Sequence, residues 1–300
     1  IKVNEGANQE GYTTVALFGG DSREGQLEEG THADCIIVAT IDNQTKEVKM
    51  VSVYRDTLTE QMNGEIKKAN NAYFTGGPQD AINMLNKNLD LDIQNYVTVD
   101  FKALADTVDL LGGIEVDIKE EEVQYMNEFL EETAQVAGKE AKFIEHSGNQ
   151  LLDGSQAVTY ARIRSTAGGD YTRTERQRLV LEKIFDKVLH TKLGTINKII
   201  DEVFPQVSTS FSLKNLIGLA ADATQYQLGE AKGFPFELTD GNVDGVGSSV
   251  IPLGLAENVQ ELHEFLYPKD EYTVSEKVKE IASEIETLTG YTRADYTESA

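Results

Sequence analysis

At 300 residues the chain exceeds the common single-domain size but stays within reach of one α/β domain, and with 40% hydrophobic residues it can bury a sizeable core. Its formal net charge of −24 argues against general nucleic-acid binding and against electrostatic attachment to anionic lipid. A single cysteine, Cys35, excludes a disulfide within the chain, and four scattered histidines make no zinc pattern.

In chain order, residues 13–18 read as a buried strand closed by Gly19-Gly20. Residues 35–41 form a second apolar run in which Cys35 is expected to be a buried structural thiol. Asp42-Asn43-Gln44-Thr45 is turn chemistry, and 47–53 alternates, so the second and third strands predict a hairpin. Helices follow near 78–89 and 101–111, with a strand at 114–118 after Gly112-Gly113. The acidic stretch 119–150 predicts a helix with a loop insertion. Asp153 caps a helix to about Tyr160, and Asp170 or Thr172 caps a long one over 173–190. Further helices are expected near 194–204, 212–225, 255–266 and 274–289, with short strands at 228–234 and 248–252. This mixture predicts an α/β sandwich, a central mixed sheet between helical layers. The longest apolar runs are far too short to span a bilayer, and no secretory leader is recognisable.

Three features carry chemistry. Asp21 follows the first strand, Asp34 precedes the second and Arg55 follows the third. If the first two strands are antiparallel, all three fall at one sheet edge. Two carboxylates there repel unless a cation joins them, and Mg²⁺ commonly takes one or two carboxylates plus substrate phosphates. The alternative is that both aspartates are turn and cap residues. The second feature is an arginine cluster: Arg162, Arg164, Arg173, Arg176 and Arg178 fall in one short window of a strongly acidic chain. Arg162 and Arg164 share a face if extended, and Arg173 and Gln177 share a helix face near an anion-favouring N-terminus. Guanidinium groups bind phosphate through paired hydrogen bonds. The alternative is surface ion pairing with Asp170, Glu175 and Glu182. The third feature, Lys67-Lys68-Ala69-Asn70-Asn71-Ala72-Tyr73, is either an amphipathic helix start or a place from which Lys68 reaches a phosphate. No P-loop, dinucleotide fingerprint or nucleophile elbow is present.

The same segments resemble the LytR–CpsA–Psr family. Leu17-Phe18-Gly19-Gly20-Asp21-Ser22-Arg23 resembles its strand ending in Asp-Ser-Arg, and His32-Ala33-Asp34 stands where the family has Arg-Ser-Asp. Val51-Ser52-Val53-Tyr54-Arg55-Asp56-Thr57 resembles Ser-Ile-Pro-Arg-Asp-Thr, and Lys68-Ala69-Asn70-Asn71-Ala72-Tyr73 resembles Lys-Ile-Asn-x-Ala-Tyr. Leu111-Gly112-Gly113-Ile114-Glu115-Val116, Asp153-Gly154 with Tyr160-Ala161-Arg162-Ile163-Arg164, and Gly169-Asp170-Tyr171 with Arg173, Arg176 and Gln177 complete the ordered set. His32 and Tyr54 depart from the family's arginine and proline.

The resemblance implies a fold with a mixed sheet between helices and an apolar groove for a polyprenyl tail. It implies transfer of a glycopolymer from undecaprenyl pyrophosphate to a peptidoglycan hydroxyl, releasing undecaprenyl phosphate. Mg²⁺, with Mn²⁺ as the alternative, is implied at Asp21 and Asp34. Arg55, Arg162, Arg164, Arg173 and Gln177 would hold the pyrophosphate, with Lys68 a further contact and Arg23 at the loop or substrate. Asp170, Asn70 and Arg176 would support them by ion pairing or capping. The resemblance divides the chain into a linker remnant (1–12) after an N-terminal anchor, a catalytic domain (13–267, motifs over 13–190) and a C-terminal helix and tail (268–300). It places the protein on the outer face of the cytoplasmic membrane of a Gram-positive bacterium, with lipid-linked glycopolymer and peptidoglycan as partners and no nucleic acid. Two other readings use the same residues: a polyprenyl-pyrophosphate hydrolase, and a non-catalytic module that binds a polyanion or lipid.

Overall fold

Strands β1 (Tyr12–Gly20), β2 (Ala33–Asp42) and β3 (Glu47–Val53) form where the apolar runs and alternation predict them. The computed structural model describes residues 1–20, 27 and 30–296. β2 and β3 make the expected antiparallel hairpin, with Ile37 opposite Ser52 and Ile41 opposite Val48. Asp42 builds its turn: Oδ1 accepts from the backbone N–H groups of Gln44 at 2.9 Å and Thr45 at 3.0 Å. Cys35 departs from expectation and is half-exposed. The fully buried run of β2 starts one residue later, at Ile36-Ile37-Val38.

After β3 the chain forms a hairpin that the sequence reading lacks. β4 (Leu58–Glu60) pairs with β5 (Ile66–Lys68), so Lys68 ends a strand and does not start a helix. Helix α1 (Asn70–Leu89) follows, broken at Gly76 and Gly77 and resumed at Pro78, where proline's fixed φ suits a first helical turn. The remaining elements are β6 (Asn95–Val99), α2 (Phe101–Leu110), β7 (Ile114–Ile118), α3 (Glu120–Ala137), β8 (Gly148–Leu152), α4 (Gly154–Arg162), α5 (Gly169–Leu189), α6 (Leu193–Val203), β9 (Ser208–Thr209), α7 (Leu213–Ala221), β10 (Gln227–Phe234), β11 (Leu238–Val243), β12 (Gly247–Pro252), α8 (Leu255–Leu266) and α9 (Glu276–Thr289). Asp153 caps α4 as expected, accepting from Gln156 N–H at 3.0 Å. α5 instead starts at Gly169 behind a Gly168 cap, so neither Asp170 nor Thr172 caps it.

The fold class is α/β, a central mixed sheet flanked by helices. The chain divides into two units: Ile1–Phe18, Glu28–Tyr96 and Gly229–Ala300 form the first, and Gly19–Leu27 with Val97–Leu228 the second. In the first, the sheet order is β10-β3-β2-β1, with the β11–β12 and β4–β5 hairpins beside it. Its core joins Phe18 and Tyr73, edge-on at 5.1 Å, to Ile82, Leu85 and Leu89 of α1 and to Val259 and Leu262 of α8. Each fully buried side chain of this size contributes roughly 1.5–3 kcal/mol of transfer free energy. In the second, β9 lies antiparallel on β6 and β8 on β7. Strict alternation along β7 buries Ile114, Val116 and Ile118 and exposes Glu115 and Asp117. The Asp153-Gly154 pair has a packing reason as well: a Cβ at Gly154 would sit 2.1 Å from the carbonyl oxygen of Ala105, so only glycine lets α4 approach α2 this closely.

A buried polar knot ties the end of α1 to the C-terminal helices of the first unit. His263 Nε2 donates to the carbonyl of Leu89 at 2.8 Å, and its ring stacks on Tyr272 at 3.6 Å. Asp90 accepts from the Tyr272 hydroxyl and from Ser275 Oγ at 2.7 Å and Ser275 N at 2.9 Å. Burial lowers the pKa of His263 below its usual value, outweighing that carbonyl and the Asp90 charge.

Candidate functional site

In the first unit the chain brings Asp34, Arg55, Asp56 and Lys68 together. Asp34 opens β2, and Arg55 and Asp56 lie in the turn after β3. The Arg55 guanidinium pairs with Asp34 through Nη1 and lies 3.8 Å from Asp56 through Nε. Lys68 Nζ is 3.3 Å from the same Asp56 oxygen. All four side chains are about a quarter exposed, between 23% and 27%, so the cluster can meet solvent or a ligand. Asp56 is the member that spacing alone does not single out: it links the arginine to the lysine.

Backbone bonds hold this cluster in place. Asn70 N–H donates to the carbonyl of Arg55 at 3.0 Å and Ala69 N–H to that of Thr57 at 2.8 Å, so the start of α1 is fastened to the arginine turn. Asn70 itself is buried. Tyr54 departs from the family's proline, and its N–H donates to the carbonyl of Phe234 at 3.0 Å, a bond proline cannot make. Its side chain crosses β10 where a Cβ on Gly233 would lie 2.1 Å from the Tyr54 hydroxyl. His32, the other departure, stacks on Phe74 at 4.5 Å.

The second unit carries the arginine cluster, and its members sit in unlike settings. Arg162 closes α4 in helical conformation, so it does not share an extended face with Arg164. Its Nη1 donates to Thr133 Oγ1 at 2.7 Å, and its guanidinium lies over the Phe101 ring at 4.6 Å. Arg164 is exposed. Arg173 is 2% exposed and pairs with Asp170 at 2.6 Å. Because α5 starts at Gly169, Arg173 lies in its second turn, past the free N–H groups, and Asp170 is the acidic residue that meets the dipole. Gln177 is half-buried one turn on. Arg176 is 3% exposed and spends its donors on protein: Glu122 Oε1 at 2.9 Å, the carbonyl of Ile163 at 3.1 Å and Thr166 Oγ1 at 2.7 Å. The neighbouring Tyr160 phenol is pushed up to about 12 by burial, with the Glu122 charge adding to it and Arg176 opposing.

Asp21 and Arg23 lie outside the described residues. Among the described residues no three Asp, Glu, His or Cys side chains converge as a metal cluster. Asp34, paired with Arg55, is a carboxylate oxygen donor of the kind Mg²⁺ takes, beside cations suited to phosphate.

Residues 1–261 are matched by a family profile described as the LytR_cpsA_psr family. The chain belongs to this family. A relative from Enterococcus faecalis, polyisoprenyl-teichoic acid–peptidoglycan teichoic acid transferase TagU, is 30% identical over 218 residues, covering 72% of this chain and 66% of the relative. The chain spans 47% to 66% of the length of three such transferases. In fold it is similar to a transcriptional regulator from Enterococcus faecalis, with TM-score 0.73 and 24% identity over 98% of this chain and 100% of that one. It is similar too to TagT of Bacillus subtilis, with TM-score 0.64 and 22% identity over 97% and 95% of the two chains. TagT has also been solved bound to LI-WTA, with TM-score 0.65 and 22% identity over 97% and 99%. Among the described residues no helix of this family member is long and apolar enough to cross a membrane.

Proposed function

We propose that this protein transfers a glycopolymer from a polyprenyl pyrophosphate to a hydroxyl of peptidoglycan, at the outer face of the cytoplasmic membrane of a Gram-positive bacterium. The observation that carries the reading is the quarter-exposed Asp34–Arg55–Asp56–Lys68 cluster in a chain of this family. The teichoic acid transferases it resembles, and TagT with LI-WTA bound, point to the same substrate class.

The acceptor oxygen attacks the phosphorus that carries the glycan. The bond from that phosphorus to the bridging oxygen breaks, the acceptor hydroxyl loses its proton, and polyprenyl phosphate leaves. Such a reaction asks for positioning and for neutralisation of phosphate charge. Arg55 and Lys68 supply cations for this in the first unit. In the second unit, taken by itself, the resemblance assigns phosphate contacts to Arg162, Arg164, Arg173 and Gln177, of which Arg164 is exposed and Arg173 is held by Asp170. Asp34 would hold Mg²⁺, which supplies further charge neutralisation when bound. Asn70 positions Arg55 through its backbone, Asp170 positions Arg173, and Arg176 braces the end of α4 against α5 through Ile163 and Thr166.

The test is transfer from a synthetic polyprenyl-pyrophosphate glycan to a peptidoglycan oligomer, with and without Mg²⁺, in wild type and Asp34→Ala. Mg²⁺-dependent transfer that the substitution abolishes is expected. Release of polyprenyl phosphate and glycan phosphate with no transfer to a competent acceptor would show a hydrolase, and tight binding without turnover a binding module.

A further inference from the structure

Asp56 is the member of the first unit's cluster to which phosphoryl transfer itself gives no role, and the backbone fixes its place. The carbonyl of Asp56 accepts from Val250 N–H at 2.9 Å, and Thr57 forms a parallel bridge to Val250. Thr57 N–H donates to the carbonyl of Tyr54 at 3.0 Å, closing the turn that carries Arg55 and Asp56. The β4–β5 register then sets Lys68 opposite Leu58, close in the chain to Asp56. One oxygen of Asp56, Oδ1, thus faces both cations, Lys68 Nζ at 3.3 Å and Arg55 Nε at 3.8 Å.

Neither Oδ1 nor Arg55 Nε makes a hydrogen bond among the described residues, and both atoms are shut off from solvent. A carboxylate oxygen left so is costly, and such an atom in a native fold calls for an explanation. Charge supplies one. Two cations brought together repel, and a carboxylate between them offsets that repulsion. At 3.3 and 3.8 Å it does so through charge, without taking up the cations' donors in short hydrogen bonds. An ammonium carries three N–H donors and a guanidinium five, so Lys68 and Arg55 keep donors for phosphate oxygens. Because Oδ1 is enclosed, a ligand meets the cations and not the oxygen between them. Resting on the proposed phosphate chemistry, we propose that Asp56 is a positioning residue that holds Lys68 beside Arg55 so that both meet one diphosphate group.

The experiment is a double-mutant cycle on Asp56 and Lys68, read by calorimetric titration of the chain with inorganic pyrophosphate in the presence of Mg²⁺. Lys68→Ala is expected to weaken binding by about tenfold in the otherwise wild-type chain. In the Asp56→Asn background the same change should cost less than about threefold, because a lysine no longer held in place contributes less. Asp56→Ser gives the same comparison should the asparagine variant fail to fold. An equal cost of Lys68→Ala in both backgrounds overturns the proposal, since a merely structural Asp56 would leave that cost unchanged. A larger cost in the Asp56→Asn background also overturns it, because Asp56 would then be keeping Lys68 from the ligand. Absence of pyrophosphate binding by wild type does the same. Binding is read without turnover, and transfer to peptidoglycan is assayed separately. Coupling without transfer would retire the transferase reading and keep the role of Asp56, and transfer without coupling would do the reverse.

Discussion

Arg55 and Arg176 are the same side chain in opposite settings, and the difference shows how surroundings assign an arginine its work. Arg176 is almost wholly enclosed, with a carboxylate, a carbonyl and a hydroxyl taking its donors. Its charge is spent on joining α3, α4 and α5. Arg55 keeps about a quarter of its side chain in solvent and pairs with carboxylates that are exposed to the same degree. A bond exchanged between solvent-accessible partners costs little to remake, whereas one buried partner left alone costs several kcal/mol. Arg55 is therefore free to trade a carboxylate for a phosphate, and Arg176 is not.

The strongest way to break this comparison is Arg176→Ala. It strands Glu122, which is 2% exposed, and should cost about 3–5 kcal/mol in urea unfolding. Glu122→Gln made in the Arg176→Ala background should recover part of the loss. A loss below about 1 kcal/mol would mean that Arg176 is not the brace. Next in size, Arg55→Ala should cut transfer by about 100-fold or more while the urea midpoint stays close to wild type. Arg55→Lys should remain well below wild type, because lysine has no planar fork. A fall in stability with unchanged turnover would reverse the roles assigned to the two arginines. The smallest effect belongs to His263, a buried group in the same unit as Arg55 that should affect stability alone. Its folded-state pKa lies below the usual 6.5, so the unfolded chain binds the proton first as pH falls. Stability from His263 is therefore complete above about 6.5 and is lost as pH drops from there through the lowered folded value. His263→Gln should flatten that part of the stability–pH curve, and a curve unchanged by the substitution would remove His263 from it.

Much of the scaffold was legible because local signals agreed with one another. The β2–β3 hairpin combined two apolar runs with an aspartate turn, and α4 had both a cap and a glycine. The β4–β5 hairpin was not legible, and of the β11–β12 hairpin only β12 was, as the strand expected at 248–252. Leu58–Glu60 and Ile66–Lys68 are three-residue strands, too short for alternation to register, and Leu238–Val243 contains Asp240, Gly241 and Asn242, residues that read as a turn. The start of α5 was misplaced because the side-chain caps Asp170 and Thr172 outweighed a glycine cap that carries no side-chain signal.

By itself the sequence determined the α/β class and the family, and it nominated residues for phosphate chemistry, because motif order and residue type are local properties of the chain. Only the tertiary structure decided the setting of each residue. It enclosed Arg176 and Arg173, left Arg164 exposed, and joined Asp56 to both Arg55 and Lys68. Burial and pairing arise from segments far apart in the chain, and no spacing along it records them.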